Sequence, residues 1–157
     1  MVSPEPYHIE ERSPTVAELR ALNAAVGWTG LPEDDDAVAC GLAASLFGVV
    51  VTMAGQLVAC GRVVGDGGIY FYLQDMIVDP AHQRRGVGDL VMAEVWSYLR
   101  EHAARDATIG LMAAVGRAGF YERWGFTPRP DGGPGMMLAW DPGHPPALPG
   151  WMTGAAG

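Results

Sequence analysis

The 157-residue chain is predicted to fold as a mixed-sheet α/β domain. Two segments with helical periodicity open it, and three strands joined by tight turns follow. A strand–helix–strand run then joins Ile69 to Ala113. Strands linked by tight turns pair antiparallel, whereas a helical crossover makes its two strands parallel. One chain carries both signals, so the sheet is mixed.

His8 to Glu10 read as a first strand. Ser13-Pro14-Thr15 is a helix start, with a capping hydroxyl and a proline tolerated at the first turn. Val16, Leu19, Leu22 and Val26 recur every three or four residues, so a helix runs to about Ala25 and Gly27 ends it. The acidic run at residues 33–36 suits the partly positive start of a second helix, which extends through Leu46. Consecutive acidic residues with no glycine-bearing loop pattern do not form a calcium loop. Val49–Thr52 and Leu57–Cys60 flank Ala54-Gly55-Gln56, a hairpin pattern. A glycine-rich turn at residues 65–68 leads to a strand from Ile69 to Val78, which Asp79-Pro80 stops. A helix from about Gly86 to Ala104 carries Val91, Val95, Tyr98 and Leu99 on one face. Ala107–Ala113 reads as a buried strand and Arg117–Trp124 as a short helix capped by Gly125. Phe126–Pro128 and Met136–Trp140 read as short closing strands. The expected organisation is one domain over residues 1–141, followed by a Pro/Gly-rich tail over 142–157.

The formal net charge of −8 disfavours nucleic-acid binding and mildly attracts cationic acceptors such as amines. Cys40 and Cys60 lack metal-ligand spacing and sit in apolar segments, so both read as small core residues. Four scattered histidines suggest no metal. No leader pattern and no apolar run near 18 residues is visible, so the expectation is a cytoplasmic protein away from membranes.

The most informative segment is Gln83-Arg84-Arg85-Gly86-Val87-Gly88, placed between a strand and a helix. Its glycines let the backbone turn tightly and approach a ligand. The helix start offers N–H groups that no helical carbonyl satisfies, a ready cradle for phosphate oxygens. Arg84 and Arg85 add positive charge to an otherwise acidic chain. A dinucleotide fingerprint is absent, because Val91 stands where its third glycine belongs, and no G-K-[ST] is present. Asp89 follows the glycines directly, where the helix dipole suits a carboxylate but phosphate does not. About thirty residues further on, across one strand, stands Phe120-Tyr121-Glu122-Arg123-Trp124-Gly125-Phe126.

Together these segments resemble the GNAT superfamily of acyl-CoA-dependent N-acyltransferases. Gln83 to Gly88 matches that family's Q/R-x-x-G-x-G/A loop. Met76-Ile77-Val78-Asp79-Pro80 matches its lead-in strand, and Phe120 to Phe126 its late helix. The resemblance spans roughly residues 47–140. It implies a mixed, mostly antiparallel sheet flanked by helices, with a central parallel strand pair splayed at the CoA site. It implies acetyl-CoA as co-substrate and no metal. Gln83, Arg84, Arg85, Gly86, Val87 and Gly88 would hold the pyrophosphate. Met76, Ile77 and Val78 would pair with the pantetheine arm beside a β-bulge, whose freed N–H could bind the oxyanion.

By the same resemblance Tyr121 is the general acid that protonates the departing thiolate; the competing reading is packing against Phe126. Asp75 is the candidate general base, with Tyr72 or a chain of waters as substitutes if it faces away. Trp28, Phe47, Tyr70, Tyr72 and Trp124 could line an acceptor pocket or fill the core. The expected reaction is acetyl transfer to a primary amine of a small molecule. The alternatives are a non-catalytic CoA-binding sensor and a protein or peptide N-acetyltransferase. Family habit allows a homodimer.

Overall fold

A two-residue turn at Ala54 and Gly55 sets the register of the sheet. Both residues take positive φ, 51° and 74°, the pairing that matches the twist of a two-residue hairpin. The structure is a computed structural model describing residues 6–133, 135, 136 and 138. The chain divides into two compact units, Met1–Ala113 and Ala114–Gly157.

The first unit holds β1 (His8–Glu10), α1 (Val16–Ala25), α2 (Asp35–Ala43), β2 (Phe47–Met53), β3 (Gln56–Gly65), β4 (Tyr70–Val78), α3 (Val87–His102) and β5 (Thr108–Gly110). The five strands lie in the order β1-β2-β3-β4-β5. The first four pair antiparallel, and β4 pairs with β5 in parallel. The sheet is therefore mixed, as the crossover from Ile69 to Ala113 predicts.

Helices cover both faces. Leu19 and Leu22 of α1 and Val38 and Leu42 of α2 form one cluster with Val50, Cys60 and Ile77 of the sheet. Successive strand residues face opposite sides, so Gly61, next to Cys60, faces the other way. There a Cβ on Gly61 would meet Val91 Cγ1 and Met76 Sδ, each at 2.6 Å. The missing side chain at Gly61 lets α3 seat Val91, Met92 and Val95, all buried, on the second face.

Local chemistry explains the helix ends. Thr15 and Glu18 cap α1 reciprocally: the Glu18 N–H donates to Thr15 Oγ1 and the Thr15 N–H to Glu18 Oε2. Asp34 Oδ1 accepts from the N–H groups of Asp36 and Ala37 at the start of α2. That helix stops at Ala43, short of the expected Leu46, because the Leu46 N–H donates to the Val63 carbonyl and so belongs to the sheet. Cys60 is buried as expected. Cys40 is exposed, because it lies on the outward side of α2 between the buried Val38 and Leu42.

The strand expected over Ala107–Ala113 shortens to Thr108–Gly110 and is only partly buried. In the second unit the late helix, α4, spans Ala118–Glu122. Phe126–Pro128 is irregular rather than a strand. Apart from Met136 and Leu138, the expected strand over Met136–Trp140 and the tail at 142–157 lie outside the described residues.

Candidate active site

The loop after β4 is built from side chains that fold back on it. Asp79 Oδ1 accepts from the Ala81 N–H at 2.8 Å and starts a tight turn over Pro80–His82. The Gln83 amide donates to the Val78 carbonyl at 3.0 Å. Arg84 and Gly86 then take left-handed φ values of 58° and 80°. Left-handed residues in a turn gather backbone N–H groups into anion-binding concavities. Gly86 is the N-cap of α3, and no side chain caps the helix. The Leu90 N–H donates to the Gly86 carbonyl at 3.1 Å, so the helical ladder begins there and the earlier N–H groups face the loop. Arg84, Arg85 and Gly86 are exposed, while Val87 is buried under the helix start. Asp89 stands in the first turn of α3, where the dipole favours its charge.

Along β4 the pairing is uneven. Its partner β3 follows it to Val78, but β5 pairs only with Tyr70, Phe71 and Tyr72. Among the described residues no strand pairs with the other edge of Leu73–Val78. A bulge lies in that stretch: Cys60 pairs with Ile77 and Arg62 with Gln74, so Asp75 and Met76 together oppose Gly61. Asp75 takes φ 52°, a left-handed conformation that costs a non-glycine residue energy.

The bulge decides where Asp75 points. Regular alternation would set Gln74 and Asp75 on opposite faces, yet the Gln74 amide donates to Asp75 Oδ1 at 3.3 Å. Asp75 Oδ2 accepts from Arg62 Nε at 2.5 Å. Both carboxylate oxygens are thus engaged, and Asp75 is 7% exposed. Arg62 Nη1 continues to the Gly41 carbonyl at 3.2 Å and Ser45 Oγ at 3.1 Å, at the end of α2. The Cys60 thiol donates to the Asp75 carbonyl at 3.3 Å, and burial pushes that thiol well above its ordinary pKa.

Tyr121 belongs to the second unit. Its ring packs edge-on to Phe120 and Phe126, with centroids at 5.1 and 6.1 Å. Burial raises the phenol above its ordinary value, so it stays protonated at neutral pH. Burial also raises Tyr72, against a backbone hydrogen bond from Met112 that lowers it. Of the other aromatics, Phe47 is core, stacked on Tyr98 at 4.8 Å. Tyr70 is exposed, and Trp28 lines an open hollow of about 290 Å³ with Arg20, Asn23 and Leu31.

Asp75, Met76, Ile77 and Val78 therefore run directly into the loop at Gln83–Gly88 within one unit. The sequence reading did not single out Arg62. Its signal was a lone charge inside the apolar run from Leu57 to Val64. Among the described residues no group of three or more His, Cys, Asp or Glu side chains could hold a metal, and no helix is long and apolar enough to cross a membrane.

An acetyltransferase (GNAT) domain model matches residues 44–128, more than half of the chain. The chain belongs to the GNAT family and is an N-acetyltransferase. It is 30% identical over 122 residues to the uncharacterized N-acetyltransferase ycf52 of Porphyra purpurea, covering 76% of this chain and 69% of that one. It is 31% identical over 132 residues to the chloroplastic serotonin N-acetyltransferase 2 of Oryza sativa, covering 81% and 65%. Among solved structures, SA2161 of Staphylococcus aureus, described as a probable acetyltransferase, matches with TM-score 0.80 at 27% identity, covering 86% of this chain and 100% of that one. The co-substrate that this fold implies is acetyl-CoA.

Proposed function

We propose that the enzyme transfers an acetyl group from acetyl-CoA to a primary amine of a small molecule. The observation that carries the donor half is the left-handed turn at Arg84 and Gly86 running into the uncapped start of α3. In this reading the N–H groups of Arg84 to Gly88 bind the pyrophosphate, with the two arginines adding charge. Gln83 works indirectly, by tying the loop to Val78. The unpaired edge at Met76, Ile77 and Val78 takes the pantetheine arm as an added strand.

The amine nitrogen attacks the thioester carbon, and the negative charge that forms on its oxygen is met by a backbone N–H beside the bulge. The C–S bond then breaks and the departing thiolate takes a proton, a role that the family resemblance gives to the Tyr121 phenol. The proton lost from the amine goes to water, and water returns a proton to the phenolate before the next cycle. Asp75 is a poor direct base in this scheme, since Arg62 and Gln74 already occupy its oxygens.

Support for a small amine comes from the acidic net charge of −8 and from the rice relative, whose name gives serotonin as its acceptor. The two thiols are unpaired, which suits a reducing compartment such as the cytoplasm. Calorimetry with acetyl-CoA, followed by amine screening with thiol-release detection, tests the proposal. Absence of acetyl-CoA binding would defeat it; binding without turnover on any amine would favour a CoA sensor.

A further inference from the structure

The Arg62–Asp75 pair is the most deeply placed charge pair among the described residues, with side chains 15% and 6% exposed. It sits at one of the least comfortable backbone positions of the sheet. Asp75 is the bulge residue, held at φ 52°, and it is not a glycine. A left-handed non-glycine residue persists only where its surroundings over-determine it. Arg62 supplies that constraint from the neighbouring strand. Its Nε holds the Asp75 carboxylate, while Nη1 is anchored to Gly41 and Ser45 at the end of α2. The guanidinium fork can do this because it donates in two directions at once from a rigid plane. Gly61, opposite the bulge, packs on Met76 and Val91 and offers no side chain that could do the same.

We infer that Arg62 is a positioning residue: it locks the β4 bulge in its left-handed form and so fixes the backbone N–H beside that bulge. The inference rests on the acetyl-transfer reading above, in which an N–H group beside the bulge meets the acetyl carbonyl. Its effect falls on the transition state, where the oxyanion forms, rather than on binding of the donor.

The test compares Arg62→Met with the double variant Arg62→Met/Asp75→Gly. Glycine adopts positive φ without cost and leaves no buried carboxylate behind, so it can hold the bulge without Arg62. Activity is counted per acetyl-CoA site measured by calorimetry. The expected result is a kcat about 10- to 100-fold lower in Arg62→Met. Its KM for acetyl-CoA should stay within about twofold, and the double variant should return to within about threefold of wild type. A merely structural role would lower the number of binding sites and leave kcat per site unchanged. Wild-type kcat in Arg62→Met overturns the inference. So does a double variant that is unfolded or as slow as Arg62→Met; if Arg62→Met itself does not fold, the double variant decides alone.

Failure of the acetyl-transfer reading is separately visible, as a wild-type enzyme that neither binds acetyl-CoA nor turns over. In that case amide hydrogen exchange at Asp79, whose N–H donates to the Val58 carbonyl at 2.9 Å just past the bulge, reads the β3–β4 pairing there. It should be faster in Arg62→Met and restored in the double variant; unchanged exchange in Arg62→Met overturns the inference.

Discussion

The Gln83 side-chain amide donates to the Val78 carbonyl at 3.0 Å, joining the first residue of the Gln83–Gly88 loop to the last residue of β4. The bond spans only five residues, yet it sets how the loop leaves the sheet. Gln83→Ala removes this neutral hydrogen bond, worth about 0.5–1.5 kcal/mol. If that sum is lost from the donor complex, the Kd for acetyl-CoA rises about 2- to 12-fold. Calorimetry reads it, and kcat at saturating donor should stay within about twofold.

Gly86→Ala tests the turn itself. A Cβ there meets nothing within 4 Å, so no clash arises within the protein. The cost is conformational: φ 80° asks an alanine to adopt the left-handed region, at about 1–2 kcal/mol. A melting temperature lower by about 2–8 °C is expected. Acetyl-CoA binding should weaken further, because the new methyl group stands at the uncapped helix start.

Tyr121→Phe keeps the ring and its edge-on contacts with Phe120 and Phe126 and removes only the hydroxyl. Stability should change little. In the proposed scheme this phenol is the general acid, a role that contributes roughly a hundredfold or more, so kcat should fall by about that factor. The pH profile carries the sharper sign. The acid must be protonated, and burial raises this phenol above its ordinary value. Wild-type kcat should therefore hold well into the alkaline range and fall only as pH rises through the raised pKa. In Tyr121→Phe that alkaline limb should vanish.

Glu18 offers a stability test away from the site. The Arg12 guanidinium, hydrogen-bonded to it at 2.8 and 3.0 Å, is the main cause holding its carboxyl below the ordinary value. Burial opposes, and the Thr15 N–H and hydroxyl assist. A lowered carboxylate adds stability above its unfolded pKa of about 4.3, and loses it as pH falls through the folded value. Both side chains are partly exposed, so the contribution is about 0.5–1 kcal/mol. Glu18→Gln should melt about 1–4 °C below wild type at pH 7, and the gap should narrow as the pH falls below the unfolded value and through the lowered folded one.

The parts of the fold legible in the sequence are those written in local residues. Ala54-Gly55 announces the hairpin, Ser13-Pro14-Thr15 the start of α1, and Asp79-Pro80 the end of β4. Gln83–Gly88 announces the loop, because glycine and the helix start act within six residues. The bulge is not written that way. It consists of one extra residue between two pairings, and a single strand carries no record of its partner's register. Hence the alternation rule alone misplaces Asp75, and Arg62, which meets it only across the sheet, looks like a stray charge. The same limit explains Ala107–Ala113: its apolar run suits a long strand, but its pairing with β4 ends at Gly110, opposite Tyr72, and a partner's register is not written in the run itself.

The unequal placement of the two cysteines bears on how turnover can be followed. Thiol-reactive dyes detect the CoA freed in each cycle, but they also label protein. Cys40 is open to such a reagent, whereas Cys60 is shielded and its thiolate disfavoured. One equivalent of dye per chain should react in the native enzyme, and two after unfolding. A Cys40→Ser enzyme should therefore give a flat baseline, against which even slow release on a poor acceptor can be counted.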